Sequence, residues 1–323
     1  MATINDVSRL AKVSIATVSR VLTGSRGVRE KSRTAVLEAA QELNYQPNAA
    51  ARDLARQKSD NIAVLLFADD QVRFSVMVPY LEKQLSDLGK NMMLHFFRTE
   101  LEQFKLLKSL TESSCEAVIL FGGYDTDIKS PKLLKVDSSD CGSHSINYNY
   151  NFAAETATRF LANKGHRNIG MVIDSREDQG SKEMINGFKV AQKELARPLN
   201  SQLIFNAIPN LDQAVISLIN NKSQCSAIIV KRDVHAAEAM NLFREFGIRV
   251  PDDMSVISLE GSQLAQYLYP KLTVITYPYE SIIDITLSRL EAIIGETGIS
   301  ADACPVAGRL VSGDSVAVFN KPA

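Results

Sequence analysis

Apolar residues near the start of the chain recur at helical spacing in two short runs. Ile4, Val7 and Ala11 form the first, Lys12-Val13-Ser14 interrupts, and Val18, Val21 and Leu22 form the second. The spacing predicts two amphipathic helices meeting at a turn, with Ser14 as N-cap of the second. With the apolar positions turned inward, Ile15, Ala16, Thr17, Ser19 and Arg20 face outward near the start of the second helix. A helix-turn-helix presents that face to the DNA major groove, although an ordinary helical hairpin shares the pattern. A third helix is expected from about Glu30, with Val36, Ala40 and Leu43 on one side. Asn44-Tyr45-Gln46-Pro47-Asn48 ends it, because Pro47 disfavours helix at Gln46. A short Ala-rich stretch, 49–56, then leads into the polar linker Gln57-Lys58-Ser59-Asp60.

From Asn61 the pattern changes to apolar runs separated by helical segments, which predicts parallel sheets with crossover helices. Strands are expected at 62–67, 92–97, 117–121, 144–147, 169–173, 202–205, 227–230 and 255–259. Helices are expected at 76–88, 153–163, 183–195, 211–220, 234–246 and 282–294. A pattern this long favours two α/β lobes over one, and such sheets bind ligands beyond the carboxyl ends of their strands. The fold class expected is therefore a small all-α head on a two-lobed α/β core.

Charge separates the same two parts. Residues 1–58 carry ten Lys and Arg against five acids, a net charge of +5, and leave -6 for the remainder of a chain whose total is -1. A basic head on an acidic body suits a protein that approaches phosphate with one end only. Cys115, Cys141, Cys225 and Cys304 are scattered, which fits reduced thiols better than disulfides or a zinc site. There is no secretory signal and no long apolar run, so a cytoplasmic, nucleoid-associated protein is expected. The histidines, His95, His144, His166 and His235, have no paired nucleophile, and Gly122-Gly123 lacks the Lys-Ser/Thr of a phosphate loop. Neither an enzyme, nor a cofactor, nor a metal is expected.

Five segments then occur in one order over nearly the whole chain: Ile4 to Leu22, Leu43 to Asn48, Gly165-His166-Arg167-Asn168-Ile169-Gly170, Gly247 to Ile257, and Leu272 to Ile275. Together they resemble the lactose/galactose repressor family of bacterial transcription regulators, with Ile15-Ala16, Thr273 to Pro278 and Asp314-Ser315-Val316 closest to galactose repressors. The resemblance implies a helix-turn-helix domain over 1–46, a hinge helix and linker over 47–60, and an effector-binding and dimerisation core over 61–323. Within the core it implies an N-lobe of about 61–160 and 278–305 and a C-lobe of about 161–277 and 306–323, similar to periplasmic sugar-binding proteins. The implied function is repression of carbohydrate-utilisation genes, with a homodimer on a near-palindromic operator and a small molecule between the lobes. A sugar-binding module without a regulatory role is the alternative.

Carried over residue by residue, the resemblance makes Ile15, Ala16 and Arg20 base readers. Arg20 has the strongest physical case, since its fork can donate two hydrogen bonds to guanine. Ser14, Thr17, Ser19 and Tyr45 match positions that contact or support phosphates. Asn48, Ala51 and Leu54 match the hinge, with Leu54 as a minor-groove wedge. Lys12 stands where the family has glycine in the turn, and Arg29 replaces the usual Ser cap of the third helix, which makes it a candidate phosphate contact.

The effector positions depart further. Asn149 replaces an Asp, Met184 an Arg, Arg232 an Asn, and Glu260 an Asp, while only Phe74 and Asp233 match outright. Arg73, Lys182 and Arg232 could converge on an anionic effector such as a phosphorylated sugar, or they could be surface cations at a site that has lost its ligand. A dimer is expected because no leucine heptad closes the chain. Helix 76–88 is the candidate dimer face, with Val76, Val78 and Leu81 either as its anchors or buried within one lobe.

Overall fold

The computed structural model describes residues 2–22, 27–45, 59–138, 142–176, 178–195, 203–207, 210–220, 225–298 and 305–319. The chain divides into two compact units at Asp60 and Asn61.

The first unit holds α1 (Ile4–Leu10), α2 (Ile15–Leu22) and α3 (Glu30–Glu42). Val7, Val18, Val21, Val36, Ala39 and Ala40 form its core, and Ile4, Ala11, Leu22, Leu43 and Tyr45 pack around them. The helical spacing in the sequence therefore identified the buried face. Thr3 and Asp6 cap α1 reciprocally, with the Thr3 hydroxyl donating to the Asp6 carboxylate at 2.7 Å. Lys12 adopts φ 53°, the left-handed turn conformation its position demands, and the turn forms without glycine.

In the second unit, one sheet has the order β2 (Asn91–Phe97), β1 (Asn61–Phe67), β3 (Ala117–Phe121), β4 (Leu133–Val136) and β5 (Ser145–Ile146), all parallel. Alternate residues of β1 go to opposite faces. Ile62, Val64 and Leu66 pack with α4 (Met77–Asp87) and α11 (Tyr279–Ile294), while Ala63 and Leu65 join Leu107 and Leu110 of α5 (Glu100–Glu112).

The second sheet has the order β11 (Arg309–Val311), β10 (Thr273–Thr276), β9 (Ser255–Ser258), β8 (Ala227–Val230), β6 (Ile169–Ile173) and β7 (Ile204–Asn206), with β11 alone antiparallel. Its two faces are covered by α6 (Tyr150–Asn163) and α7 (Gln179–Glu194) on one side, and by α8 (Leu211–Asn220) and α9 (Asp233–Glu245) on the other. The short α10 (Leu264–Tyr267) precedes β10. Between β5 and α6, β10 and α11, and α11 and β11 the chain passes from one lobe to the other.

Three sequence expectations change. Helix α6 packs on α7 and the second sheet, so the first passage between lobes comes before Tyr150 rather than near residue 161. Small residues allow this, for Gly187 on α7 lies so close to the backbone of Asn151 that a Cβ there would stand 2.0 Å from its carbonyl oxygen. Leu81 is fully buried and so is no surface anchor for a partner, whereas Val78 is half-buried against the same core. The elements α5, β4, β10 and β11 were not anticipated. The hinge residues Asn48, Ala51 and Leu54 lie outside the described residues.

Candidate DNA-reading face and interlobe cleft

The head presents α2 as expected from its period. Val18 and Val21 are buried, Ile15, Ala16, Ser19 and Arg20 are exposed, and Thr17 is intermediate. Ile15 keeps 48% of its surface accessible, a large apolar side chain on an otherwise polar face. Ser14 caps the helix, its hydroxyl accepting from the Thr17 amide at 3.2 Å and pairing with the Thr17 hydroxyl at 2.9 Å. Arg29 occupies the N-cap of α3 with no side-chain cap bond, leaving its guanidinium for another role. Tyr45 packs partly against the core of the head.

The cleft of the core is assembled from residues that directly follow strands. Asp70 and Arg73 come after β1, Asp137 after β4, Tyr148 and Tyr150 after β5, Asp174 and Asp178 after β6, Lys231 and Arg232 after β8, Glu260 after β9 and Tyr277 after β10. Parallel strands deliver these ends to one place, which is why the charged groups meet there.

Arg73 is at its centre. Its guanidinium pairs with Asp137 at 2.6 Å and Glu260 at 3.5 Å and donates to the Tyr150 hydroxyl at 2.7 Å. It also lies over the rings of Phe74 and Tyr148, at 4.9 and 5.0 Å from their centroids. Arg232 pairs with Asp70 across the cleft, and Lys231 pairs with Asp174 at 2.9 Å and Asp178 at 2.5 Å. Burial, reinforced by Asp233, raises the Glu260 carboxyl to about 7 although Arg73 and Arg232 oppose the rise. Burial likewise lowers His235 to about 4, so beside Asp174 it is a neutral imidazole at pH 7. Tyr277 stacks on Tyr148 at 4.4 Å, and its buried hydroxyl has no hydrogen-bond partner among the described residues.

The eight expected effector residues do not form one set. Arg73, Phe74, Arg232 and Glu260 come together in or beside the cleft. Asp233 instead holds the loop after β9, accepting from the Gly261 and Ser262 amides and the Ser262 hydroxyl. Asn149 caps α6 through the Phe152 amide at 2.9 Å. Met184 is core, and Lys182 is exposed on α7. Arg73, Lys182 and Arg232 therefore do not converge on an anion, because both arginines are already held by carboxylates. Sequence reasoning missed Asp70, Asp137, Tyr148, Tyr150, Asp174, Asp178, Lys231 and Tyr277, all of which closely follow strands.

Two openings adjoin this network. A recess of about 710 Å³ is bounded by Arg73, Tyr148, Glu260, Ser262, Thr276 and Tyr277 among others, a volume in the range of small-molecule sites. A polar pocket of about 50 Å³ lies among Asp137, Tyr150, Asp178, Glu183 and Lys231, large enough for little more than water.

A helix-turn-helix head on a two-lobed core with a strand-end cleft defines a ligand-responsive DNA-binding regulator. Residues 3–48 match the model for bacterial regulatory proteins of the lacI family, and residues 158–316 match the periplasmic binding protein-like domain. The chain thus joins a lacI-family DNA-binding domain to a periplasmic binding protein-like domain. It is 29% identical over 291 residues to the HTH-type transcriptional regulator GalR of Salmonella typhimurium, covering 86% of this chain and 85% of that one. It is also 29% identical to the HTH-type transcriptional repressor PurR of Vibrio vulnificus, covering 90% and 92%. The solved lac repressor dimer bound to operator and the anti-inducer ONPF superposes with a TM-score of 0.83 at 22% identity, over 98% of this chain and 99% of that one.

Proposed function

We propose that the protein represses carbohydrate-utilisation genes as a homodimer on a near-palindromic operator, working in the cytoplasm at the nucleoid, with its DNA affinity set by a small molecule in the interlobe cleft. The observation that carries this is the α2 face, on which Val18 and Val21 are buried while Ile15, Ala16, Ser19 and Arg20 are presented outward. Arg20 donates two hydrogen bonds to a guanine edge, and Ile15 and Ala16 make apolar contact with neighbouring bases, for example a thymine methyl. Ser14, Thr17, Ser19, Arg29 and Tyr45 take phosphates and fix register. Asn48, Ala51 and Leu54 act from the hinge in the minor groove, with Leu54 wedging a base step. A ribose operon repressor of Haemophilus influenzae, 28% identical over 290 residues, supports the carbohydrate assignment.

Selection of binding sites from genomic fragments, followed by gel shift at graded salt, tests the reading. A palindromic consensus retained at physiological salt is expected. Binding that loses all sequence preference there overturns it.

A further inference from the structure

The cleft already holds a cation of its own. Arg73 reaches into it from the turn after β1, and what surrounds its guanidinium is drawn from both lobes: Asp137 and Phe74 from the first, Glu260 and Tyr150 from the second, with Tyr148 at the passage between them. Two carboxylates and two aromatic faces about a planar cation make a cation cage. The wider cleft has the same bias. Asp70, Asp137, Asp174, Asp178, Glu183, Asp233 and Glu260 stand against Arg73, Lys231 and Arg232, and each of these three cations is paired with a carboxylate. Lys271, Arg309 and Glu280 also border the recess, so the negative bias is local to the Arg73 guanidinium and the network around it rather than spread over the whole recess.

A second observation comes from an uncharged group. The Tyr277 side chain is 8% exposed and faces the recess, yet its hydroxyl has no hydrogen-bond partner among the described residues. A buried hydroxyl left in this state is costly unless something completes it. The Ser262, Gln263 and Thr276 side chains border the same recess, so the space beside the cage is suited to hydroxyl groups.

We propose that the cleft takes a small hydroxylated organic cation, an amino sugar by class, whose ammonium exchanges with the Arg73 guanidinium for the carboxylates of Asp137 and Glu260. Tyr277, Ser262 and Gln263 hold its hydroxyls. This rests on the reading of the cleft as the effector site and names the ligand class for it. Arg73 is then a resident competitor that the effector must displace, and the two lobes exchange an internal bridge for an external one.

Calorimetric titration of the full-length protein tests the exchange, with glucosamine, glucose and glucose 6-phosphate as probes of the wild type. Methylguanidinium is titrated into the wild type and Arg73→Ala. Glucosamine should bind where glucose and glucose 6-phosphate do not. Methylguanidinium should bind Arg73→Ala about tenfold more tightly than the wild type, the factor expected if Arg73 fills the cage about nine-tenths of the time. Where Arg73→Ala fails to fold, Arg73→Lys, which keeps the charge but loses the planar fork, should show the same gain in smaller degree. Glu260→Gln should weaken glucosamine binding in the wild-type background.

Binding of glucose 6-phosphate in preference to glucosamine overturns the proposal, as does a wild type that binds no probe. Equal methylguanidinium affinity in variant and wild type overturns it too. Gel shifts on the same preparations report DNA reading separately, so a failed cation site and a failed regulator assignment give different results.

Discussion

The head and the cleft are built on opposite plans. In the head, everything that positions the reading face lies within a few turns of it: Ser14 caps α2, Val18 and Val21 anchor it, and Arg20 stands one helical turn from Ala16. In the cleft, Arg73 depends on Asp137, Tyr150 and Glu260, which reach it from distant parts of the chain. A function assembled locally survives as a readable motif. One assembled by tertiary folding can exchange every member while the sheet that carries them stays the same.

The largest test of this contrast is Phe74→Ala. Phe74 is fully buried, packs on Phe121 at 5.2 Å and supports Arg73, so its loss should destabilise the core by about 3 to 5 kcal/mol in urea unfolding. The contrast is broken if the same substitution in the full-length protein also lowers the thermal unfolding midpoint of the head.

Next comes pH. A carboxyl raised to about 7 in the folded state contributes stability that is complete below its unfolded value near 4.5 and is lost as pH rises through 7. His235 and His166, both lowered by burial, give the opposite slope below their ordinary 6.5, so the Glu260 effect is read above that value. Core stability should fall between pH 6.5 and 8 by an amount on the order of 1 kcal/mol, and Glu260→Gln should flatten the slope. An unchanged slope in that variant assigns the titration elsewhere.

Arg20→Ala should weaken operator binding by about 1 to 3 kcal/mol and relax preference at one base position, with unfolding of the core unchanged. A uniform loss over all sequences would make Arg20 a phosphate contact. The smallest effect is expected of Ser14→Ala, about 1 kcal/mol in stability of the head, read by thermal unfolding.

How much was legible follows from the same division. The period of 3.6 in the head and the apolar runs of β1, β3, β6 and β8 were plain because burial alone dictates them. Helix α5 was hidden by an inverted pattern. Gln103 is buried and bonds the backbone of Tyr124 on both sides, whereas Leu101 and Phe104 are 62% and 50% exposed. Strand β4 was hidden by Lys135, buried in its middle. The cleft residues have no shared period, yet a signal was present, since a charged or aromatic residue follows closely on most of the parallel strands. Family positions pointed to Asn149, Met184 and Asp233, and in this chain those side chains cap a helix, fill the core and tie a loop.

The contact of Gly187 with the backbone of Asn151 carries a mechanical consequence. It fuses α6 and α7 into one stiff beam, and the beam begins with Tyr150 on one member and Asp178 at the N-cap of the other. Both residues touch the charged network, so that wall of the cleft travels as a single lever. At two of the passages between the lobes stand Tyr148 and Tyr277, whose rings stack on each other, so any change in the angle between the lobes would have to be accommodated around that stack.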